Sequence, residues 1–559
     1  MSKTKWFTIC LIILTLLLSA CGQKAAETQE ASGVPEEPST PSIVKIGYAG
    51  SPDTLNPGTA ILSEAYVMFE LTYSALFGQN LDGTYSLDLL DSFEVSADGK
   101  TYTFKLKPGV KFSDGTPLTA RDVVYSFNLY KEHTEFPYMN TYTANFDTIE
   151  AVDDTTVVLT LTEPVPSIQY LTTFLYILPE HIWSQYTGEK VGEFPNSEMV
   201  GSGPFILMDY AQGEYIHFKK NPDFYGGVPK VDEVVFQTFN NQDALVQAIK
   251  TGQVDMITEM PLTAVASLKN AKDVAVAVGA PLAPDISDII FNQADPENCP
   301  EGGVCTGHPS LRDPKVREAL AFATNKQEMI DIVLLGLGAA GRTLIPDSLL
   351  PWYNDSIEDH PYDLDKANQL LDEAGYMDSD GDGVREMPDG SKPLILRLNY
   401  PSDSTVAPRL SELLAKNWEQ AGVKLEISAL DPDALTSICC PTFDYDVLIW
   451  GWGSDPDPSF LLSVMTSESI PSGMSESGYN NPAYDELYQK QLVEVNPTIR
   501  KNLVWEMQKI VFNDTVYIVP FYAKAVQAFR TDRFKGWIIN QPKQALEDVT
   551  SLVVVEPVK

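Results

Sequence analysis

Basic residues, histidine and cysteine are all scarce in this sequence of 559 residues. Lys and Arg together number 39 against 77 Asp and Glu, which gives a net charge of −38. A surface this negative repels phosphate backbones, so the composition argues against nucleic acid as a partner. Only 5 histidines and 6 cysteines occur, and the cysteines lack the paired CxxC spacing of zinc sites. The sequence therefore gives little support to metal capture by nitrogen or sulfur ligands.

Motifs of common hydrolases and phosphate-binding enzymes are missing as well. The sequence contains no GxSxG, HExxH or GxxxxGK(S/T) pattern. A carboxylate pair for glycoside hydrolysis stays open among so many acidic residues. A secreted hydrolase is thus an alternative that the residues do not favour, and we expect no catalytic residues.

A long apolar run is found only near the N-terminus. Residues 6–18 form a thirteen-residue apolar run after two lysines, too short to span a membrane but typical of a signal peptide. The following LSACG stretch resembles a bacterial lipobox, so we expect a signal peptide over 1–20 and lipidation at Cys21. An ordinary signal peptide with an incidental cysteine is the alternative. Residues 21–42 lack an apolar stripe, and we interpret them as a flexible tether.

Four further cysteines fit an exported protein. Cys299 and Cys305 flank a short loop that contains proline and glycine, which favours a local disulfide between them. Cys439 and Cys440 are adjacent in the sequence. They can form a vicinal disulfide, remain thiols or pair elsewhere, and the sequence leaves these alternatives open.

Helix and strand signals alternate through most of the chain. Residues 99–112 alternate apolar and polar side chains between turn residues, which predicts a hairpin region. Thr119 and Asp122 have the spacing of a capping box that begins a helix. The pattern over 410–421 predicts another helix, which Gly422 ends before an alternating strand. We therefore predict a mixed α/β protein.

Six stretches carry a resemblance to a known family. They occur in the family's order across roughly residues 43–540, and they are PDTLNP at 52–57, the run 98–127 from DGKTYTF to VVYSF, GSGPF at 201–205, VREALAFATNK at 316–326, GWGSDPDP at 451–458 and GYNNPAYDELY at 478–488. The sequence thus resembles the family 5 extracellular solute-binding proteins. That group includes the oligopeptide-, dipeptide- and nickel-binding components of ABC importers.

The resemblance implies a two-lobe, periplasmic-binding-protein-like α/β fold with an extra subdomain and a hinge of two crossing segments. The implied boundaries are 43–85, 195–290 and 525–559 for lobe one, 86–194 for the extra subdomain, and 291–524 for lobe two, with crossings near 289–291 and 521–523. The implied protein is a monomer that closes on a ligand and delivers it to an ABC permease and ATPase complex. Ligand favours the closed state because it contacts both lobes only there.

The GWGSDPDP stretch is the expected ligand contact. In peptide-binding relatives the acidic residue after the Gly-Trp pair meets the ligand's α-ammonium group, which corresponds to Asp455 here. Backbone near Gly451 is expected to pair with an extended peptide, and Asp457 is the alternative partner for the ammonium. Both aspartates can instead merely shape a loop. Trp450 and Trp452 would face the same side of a strand, where they could stack on a ligand or fill the core.

Two further contacts are implied by the resemblance alone. Tyr138 matches a position that closes over peptide in some relatives, and Glu64 matches an early acidic contact.

A separate acidic loop has the spacing of a calcium site. Asp378, Asp380, Asp382, Glu386 and Asp389 occupy positions one, three, five, nine and twelve of an EF-hand pattern, with glycine at six. We expect a structural Ca²⁺ there, with a bare Asp-Gly turn as the alternative. No other cofactor is expected.

The ligand is the least determined part of the prediction. A peptide is the leading hypothesis and an oligosaccharide, held by hydroxyl hydrogen bonds and tryptophan stacking, is the first alternative. A nickel chelate gains no support from so few histidines. A sensor or adhesin that kept the fold without transport is a further alternative.

Overall fold

The computed structural model describes residues 40–134 and 136–558. The expected signal peptide, the expected lipidation site Cys21 and nearly all of the predicted tether lie outside the described residues. Within the described part, no helix is both long and apolar enough to cross a membrane.

The strands are mostly short, and several are separated by long stretches of chain. In chain order they are β1 Ile43–Tyr48, β2 Phe77–Gln79, β3 Tyr85–Leu87, β4 Leu90–Val95, β5 Thr101–Leu106, β6 Phe146–Asp153, β7 Thr156–Leu161, β8 Phe205–Ala211, β9 Tyr215–Lys220, β10 Glu233–Thr238, β11 Met256–Ile257, β12 Val274–Gly279, β13 Asp285–Phe291, β14 Gly338–Ala339, β15 Ile395–Pro401, β16 Lys424–Leu430, β17 Val447–Gly453, β18 Tyr517–Ile518, β19 Tyr522–Ala523, β20 Ala525–Arg530, β21 Phe534–Lys535 and β22 Glu556–Pro557.

The helices cluster in the second half of the chain. They are α1 Ser63–Thr72, α2 Ala120–Glu132, α3 Met139–Tyr142, α4 Ile168–Thr173, α5 Glu180–Trp183, α6 Gln242–Thr251, α7 Val265–Lys269, α8 Pro314–Phe322, α9 Lys326–Val333, α10 Leu364–Glu373, α11 Ala407–Glu419, α12 Pro432–Cys439, α13 Ser459–Ser463, α14 Ser469–Ser472, α15 Pro482–Val493, α16 Pro497–Asn513 and α17 Val549–Leu552.

Local sequence signals explain how several of these elements begin. The Thr119 backbone N–H donates to the Asp122 carboxylate at 2.8 Å, so the predicted capping box starts α2. Asp313 caps α8, with Pro314 at the first helical position. The hairpin prediction is half right. β5 pairs with β4 across the Asp98-Gly99 turn, whereas 107–112 form no strand.

One seven-stranded sheet unites three distant stretches of chain. Its order is β12-β20-β11-β1-β10-β9-β8, with β1 parallel to both β10 and β11 and β20 antiparallel to both β11 and β12. The N-terminal strand and a strand near the C-terminus therefore belong to one sheet. Buried apolar side chains cover it, including Val44, Ile46 and Phe236.

A five-stranded sheet forms a second centre of packing. Its order is β16-β15-β17-β13-β18. On one face Phe291 stacks on Trp418 of α11, with ring centroids 6.0 Å apart. Ile286 and Ile290 lie on the other face, in a separate apolar cluster that also contains Tyr445 and Tyr517.

A four-stranded sheet, β4-β5-β7-β6, packs against α2. The predicted α/β class is confirmed.

The chain passes twice between the two larger sheets. Residues 280–284 connect β12 to β13, and 519–524 connect β18 to β20. The second passage contains the expected 521–523 crossing. Residues 289–291 do not lie between the sheets, because they form the end of β13 that pairs with both β17 and β18. The other domain boundaries stay predictions.

The four described cysteines form two disulfides. Cys299 and Cys305 are joined, with their Cα atoms 5.9 Å apart. Cys439 and Cys440 are joined to each other, which selects one of the three alternatives that the sequence left open.

Candidate functional site

The GWGSDPDP segment begins on a strand with a free edge. β17 pairs with β13 along its whole length, from Val447 to Gly453. On its other side, β17 pairs with β15 only at Val447 and Leu448. Residues 449–453 therefore have one edge that takes part in no ladder of the described sheets. Gly451 and Gly453 on this stretch are exposed, so another chain can approach the edge.

The two tryptophans share one face of β17. Trp450 and Trp452 are each half-buried, and both contact the apolar cluster on that face. Phe460 packs edge-on against Trp452, with ring centroids 5.6 Å apart. The Nε1 of Trp452 is buried and has no hydrogen-bond partner within the described residues. The tryptophans thus combine a packing role with a partly open surface.

Asp455 lies just beyond the end of β17 in a crevice. The Asp455 side chain is exposed to solvent. Neighbouring protein atoms nevertheless displace much of the water around its carboxylate. Burial raises the pKa of Asp455, the hydroxyl of Tyr170 opposes that rise, and Asp457 adds to it. A carboxylate in this position gains from any nearby cation.

Aromatic side chains from residues 66–174 form the wall that faces Asp455. Tyr142 stacks on Phe174 at 5.7 Å, Tyr170 meets the same ring edge-on at 5.6 Å, and Tyr66 meets it at 6.1 Å. Burial raises the pKa of Tyr142 to about 12, with Asp455 among the charges that contribute. The wall and the acid come from distant parts of the chain.

The expected contact Tyr138 borders this wall. It lies at the N-terminal end of α3, its side chain is 43% exposed, and it contributes to the raised pKa of Tyr142. Tyr142 and Tyr170, by contrast, were not predicted. The aromatic-rich segments 136–142 and 170–176 were the signal that could have indicated them.

Asp457 takes part in contacts within the protein, in keeping with the loop-shaping alternative. Its two oxygens accept from Arg500 at 2.6 and 2.9 Å, and both side chains are buried. Ser459 donates its backbone N–H to the same carboxylate. Asp457 is therefore an internal partner of Arg500 and is not free to bind a ligand ammonium.

Residues 84–472 match the family described as Bacterial extracellular solute-binding proteins, family 5 Middle. The chain belongs to this family. This membership confirms the expected extracytoplasmic location and the expected role as a solute-binding protein.

Named relatives match nearly the whole chain. Heme-binding protein A of Haemophilus influenzae is 27% identical and covers 95% of this chain and 96% of its own. Oligopeptide-binding protein AppA of Bacillus subtilis is 25% identical, with 85% of both chains covered. The crystal structure of the ABC transporter substrate binding protein CtaP of Listeria monocytogenes superimposes with a TM-score of 0.76 at 25% identity, covering 93% of this chain and 100% of its own. The two-lobe fold class is thereby confirmed.

Glu64 of this solute-binding protein lies near the first residues of the fold. Glu64 lies in the first turn of α1. Its carboxylate packs so closely against Gly50 that a side chain at position 50 would clash with it. Its charge also contributes to the raised pKa of Glu259. The described contacts group Glu64 with these two residues and not with Asp455.

Four of the five acidic residues predicted to bind Ca²⁺ have carboxylates that lie close together. Ligand oxygens of Asp378, Asp380, Asp382 and Glu386 all lie within 4.8 Å of one another. Asp389 is outside this group, and its carboxylate accepts from the backbone N–H of Ser391. Some oxygens of the loop already accept backbone N–H groups, such as that of Gly381 at 2.7 Å. Four of the five predicted ligands thus suit a hard cation that takes oxygen ligands.

A buried lysine was not predicted. Lys543 is 2% exposed, and burial lowers the pKa of its ammonium to about 8. Across residues 40–134 and 136–558, no acidic group or acceptor pairs with that ammonium. Its backbone N–H donates to Leu81, and the next residue donates to Ala280, beside the first passage between sheets. The sequence carries no motif that would single out this lysine.

Proposed function

We propose that this protein binds a peptide along the free edge of β17 and delivers it to an ABC importer. The observation that carries the proposal is the unpaired edge of 449–453, which leads directly to Asp455. An extended peptide adds to such an edge as a further strand, because its backbone groups complete the open ladder. The exposed glycines leave room for its backbone to approach.

Asp455 is the proposed partner of the peptide's α-ammonium group. A partly desolvated carboxylate is stabilised by an opposite charge at short range, and neither charge is stable alone in a dry cleft. The raised pKa of Asp455 supports this role, since it indicates that the acid lacks a cation of its own.

The aromatic wall provides the second side of the proposed binding site, on which the two lobes close. Tyr142 and Tyr170 face Asp455 from a different part of the chain. A peptide between them contacts both sides, so it stabilises the closed arrangement by its differential affinity. Transporters can then distinguish the loaded protein from the empty one.

The relatives support this ligand class and this partner. AppA is named as an oligopeptide-binding protein, and CtaP as an ABC transporter substrate binding protein. Because another relative is named for heme, heme serves as the control ligand in the test. The proposal includes a lipid anchor at Cys21, a monomer, no catalytic turnover, and a structural Ca²⁺ at the acidic loop.

Isothermal titration of the mature protein with a peptide panel tests the proposal. Peptides with a free N-terminus should bind, while oligosaccharides and heme should not. Ligand at a hundred times its Kd should add about 2.7 kcal/mol to the free energy of unfolding. Binding of sugar or heme without any peptide would refute it. Asp91→Asn, at an exposed position on β4, is the surface control variant.

A further inference from the structure

A buried pair of acids lies beside the strand that carries the proposed peptide edge. Asp288 is 0% exposed and Glu476 is 1% exposed. All four of their carboxylate oxygens lack a hydrogen-bond partner within the described residues. Buried carboxylates are normally paired or hydrogen-bonded, because an isolated charge in the interior is costly. This pair is therefore incomplete as it stands.

Other buried acids of the same lobe show the contrast. Asp457 has Arg500, as described above. Asp446 accepts from Arg397 and from the backbone N–H of His308. Asp457 and Asp446 thus each have an arginine partner, whereas no basic residue of the described chain forms an ion pair with Asp288 or Glu476.

Two further polar groups point to the same place. The hydroxyl of Tyr445 is fully buried and lacks a partner in the described part of the chain. Burial raises the pKa of Tyr445, and the nearby charges of Glu476 and Asp288 add to the rise, so the phenol lies close to the pair. The indole of Trp452 lies close enough to Glu476 to oppose the rise in its pKa, although its Nε1 is not within hydrogen-bond geometry of a partner among the described residues. Phenol, indole and two acids form one polar pocket, which we call the diacid pocket.

The position of the diacid pocket connects it to the cleft. Asp288 on β13 is directly opposite Trp450 on β17 in the sheet register, so it lies beside β17, on the side away from the free edge and on the same sheet face as Trp450. Trp452 borders the pocket with its buried nitrogen, while a smaller part of its surface remains accessible to solvent. A peptide side chain that projects from the free edge of β17 on the tryptophan face lies on the same sheet face as Asp288, two strands away.

The chemistry of the diacid pocket favours an organic cation. An ammonium or guanidinium group brings several N–H donors of its own, which would satisfy the free carboxylate oxygens. The grouped metal ligands of the described chain occur elsewhere, at the acidic loop. With 77 acidic and only 39 basic residues, the protein carries a negative net charge that attracts basic ligands at long range.

We propose that Asp288 and Glu476 bind the ammonium or guanidinium group of a lysine or arginine side chain, so that the protein selects basic peptides. This inference rests on the proposed function and deepens it. Asp455 holds the α-ammonium group in that scheme, and the diacid pocket holds the side-chain cation.

A matched tetrapeptide series tests this inference on the wild-type protein. Four peptides on an alanine background carry lysine at one position each, and four counterparts carry norleucine, which has a similar length without the charge. Isothermal titration should show at least one lysine peptide binding more than tenfold tighter than its norleucine counterpart. An ε-acetylated lysine should behave like norleucine. Equal affinities throughout would overturn the inference while leaving peptide binding intact.

Variants then locate the effect. Asp288→Asn and Glu476→Gln should each reduce the preference for lysine to about threefold or less, with norleucine peptides binding as before. If either variant fails to fold, the other, together with the wild-type series, still decides. Retention of the full preference by a folded variant would contradict the assignment. Failure of every peptide to bind would count against the proposed function itself.

Discussion

Arg500 holds both oxygens of Asp457 in a buried bidentate pair, with N–O distances of 2.6 and 2.9 Å. The pair separates two aspartates that the sequence presents as equivalent. Asp457 is neutralised inside the fold, whereas Asp455 reaches the cleft without a cation. We therefore expect Asp455, and not Asp457, to bind a ligand's positive charge.

Removal of the Asp457 charge should therefore damage stability and spare the binding chemistry. Asp457→Asn leaves the Arg500 guanidinium buried without its counter-charge, which should lower the free energy of unfolding by about 3–5 kcal/mol. Urea denaturation measures this loss. The double variant with Arg500→Met should recover part of it, and a single variant as stable as wild type would show that the pair is dispensable.

Removal of the Asp455 charge should have the opposite profile. Asp455→Asn should weaken the binding of free-amine peptides about tenfold or more, since the desolvated ammonium loses its partner. N-acetylated peptides should bind both proteins equally, and the urea midpoint should hardly move. Titration calorimetry with both peptide types, using the surface control variant alongside, distinguishes this outcome from general damage. Unchanged affinity for free amines would place the ammonium elsewhere.

The two acids of the diacid pocket should make stability depend on pH. Burial raises the pKa of Asp288 and of Glu476, so the native state retains protons that the unfolded state releases above about pH 4. Stability should therefore fall as the pH rises from the acidic range toward neutrality. Tyr445, Tyr517 and Asp446 are the other titratable groups near the pair.

Urea midpoints at pH 5 and pH 8 check that dependence. Asp288→Asn should flatten the difference between the two midpoints, whereas the surface control variant should keep it. A variant with the same pH dependence as wild type would show that Asp288 ionises freely in the native state.

Lys543 should destabilise the ligand-free protein at neutral pH. Its pKa falls to about 8 on folding, so the native state binds fewer protons between that value and the ordinary lysine range near 10.4. Stability should rise with pH across that window. Lys543→Met should add about 1–3 kcal/mol at pH 7 and remove the rise, as measured by urea denaturation. A destabilised variant would imply that the ammonium has a stabilising partner.

Calcium should stabilise the acidic loop. Addition of Ca²⁺ to chelator-treated protein should raise the melting temperature, because clustered carboxylates repel one another until a cation binds. Asp380→Asn should reduce that shift, while Asp389→Asn should change it little, since Asp389 lies outside the cluster. No shift in the wild-type protein would leave the loop as a plain turn.

Prediction from the sequence succeeded where local chemistry or family motifs carry the information. The capping box of Thr119 and the clustering of four of the five carboxylates in the calcium-like loop both appear as local structure. The α/β class followed from alternating patterns, and the two-lobe arrangement from motifs in order. These signals require only neighbours in the sequence or a known family.

The sequence could not indicate what depends on long-range packing. Asp455 and Asp457 are distinguished by Arg500, more than forty residues away. The diacid pocket joins β13 to the segment before Gly478, and Tyr142 and Tyr170 meet Asp455 from another part of the fold. No local sequence pattern predicts these long-range contacts, because each residue is of a common type for its own segment.

Mass spectrometry of the ligand that copurifies with the native protein tests the central claim most directly. The protein should carry peptides with free N-termini, enriched in lysine or arginine, and release them on denaturation. Recovery of heme, a saccharide or another non-peptide solute in stoichiometric amount would contradict the account.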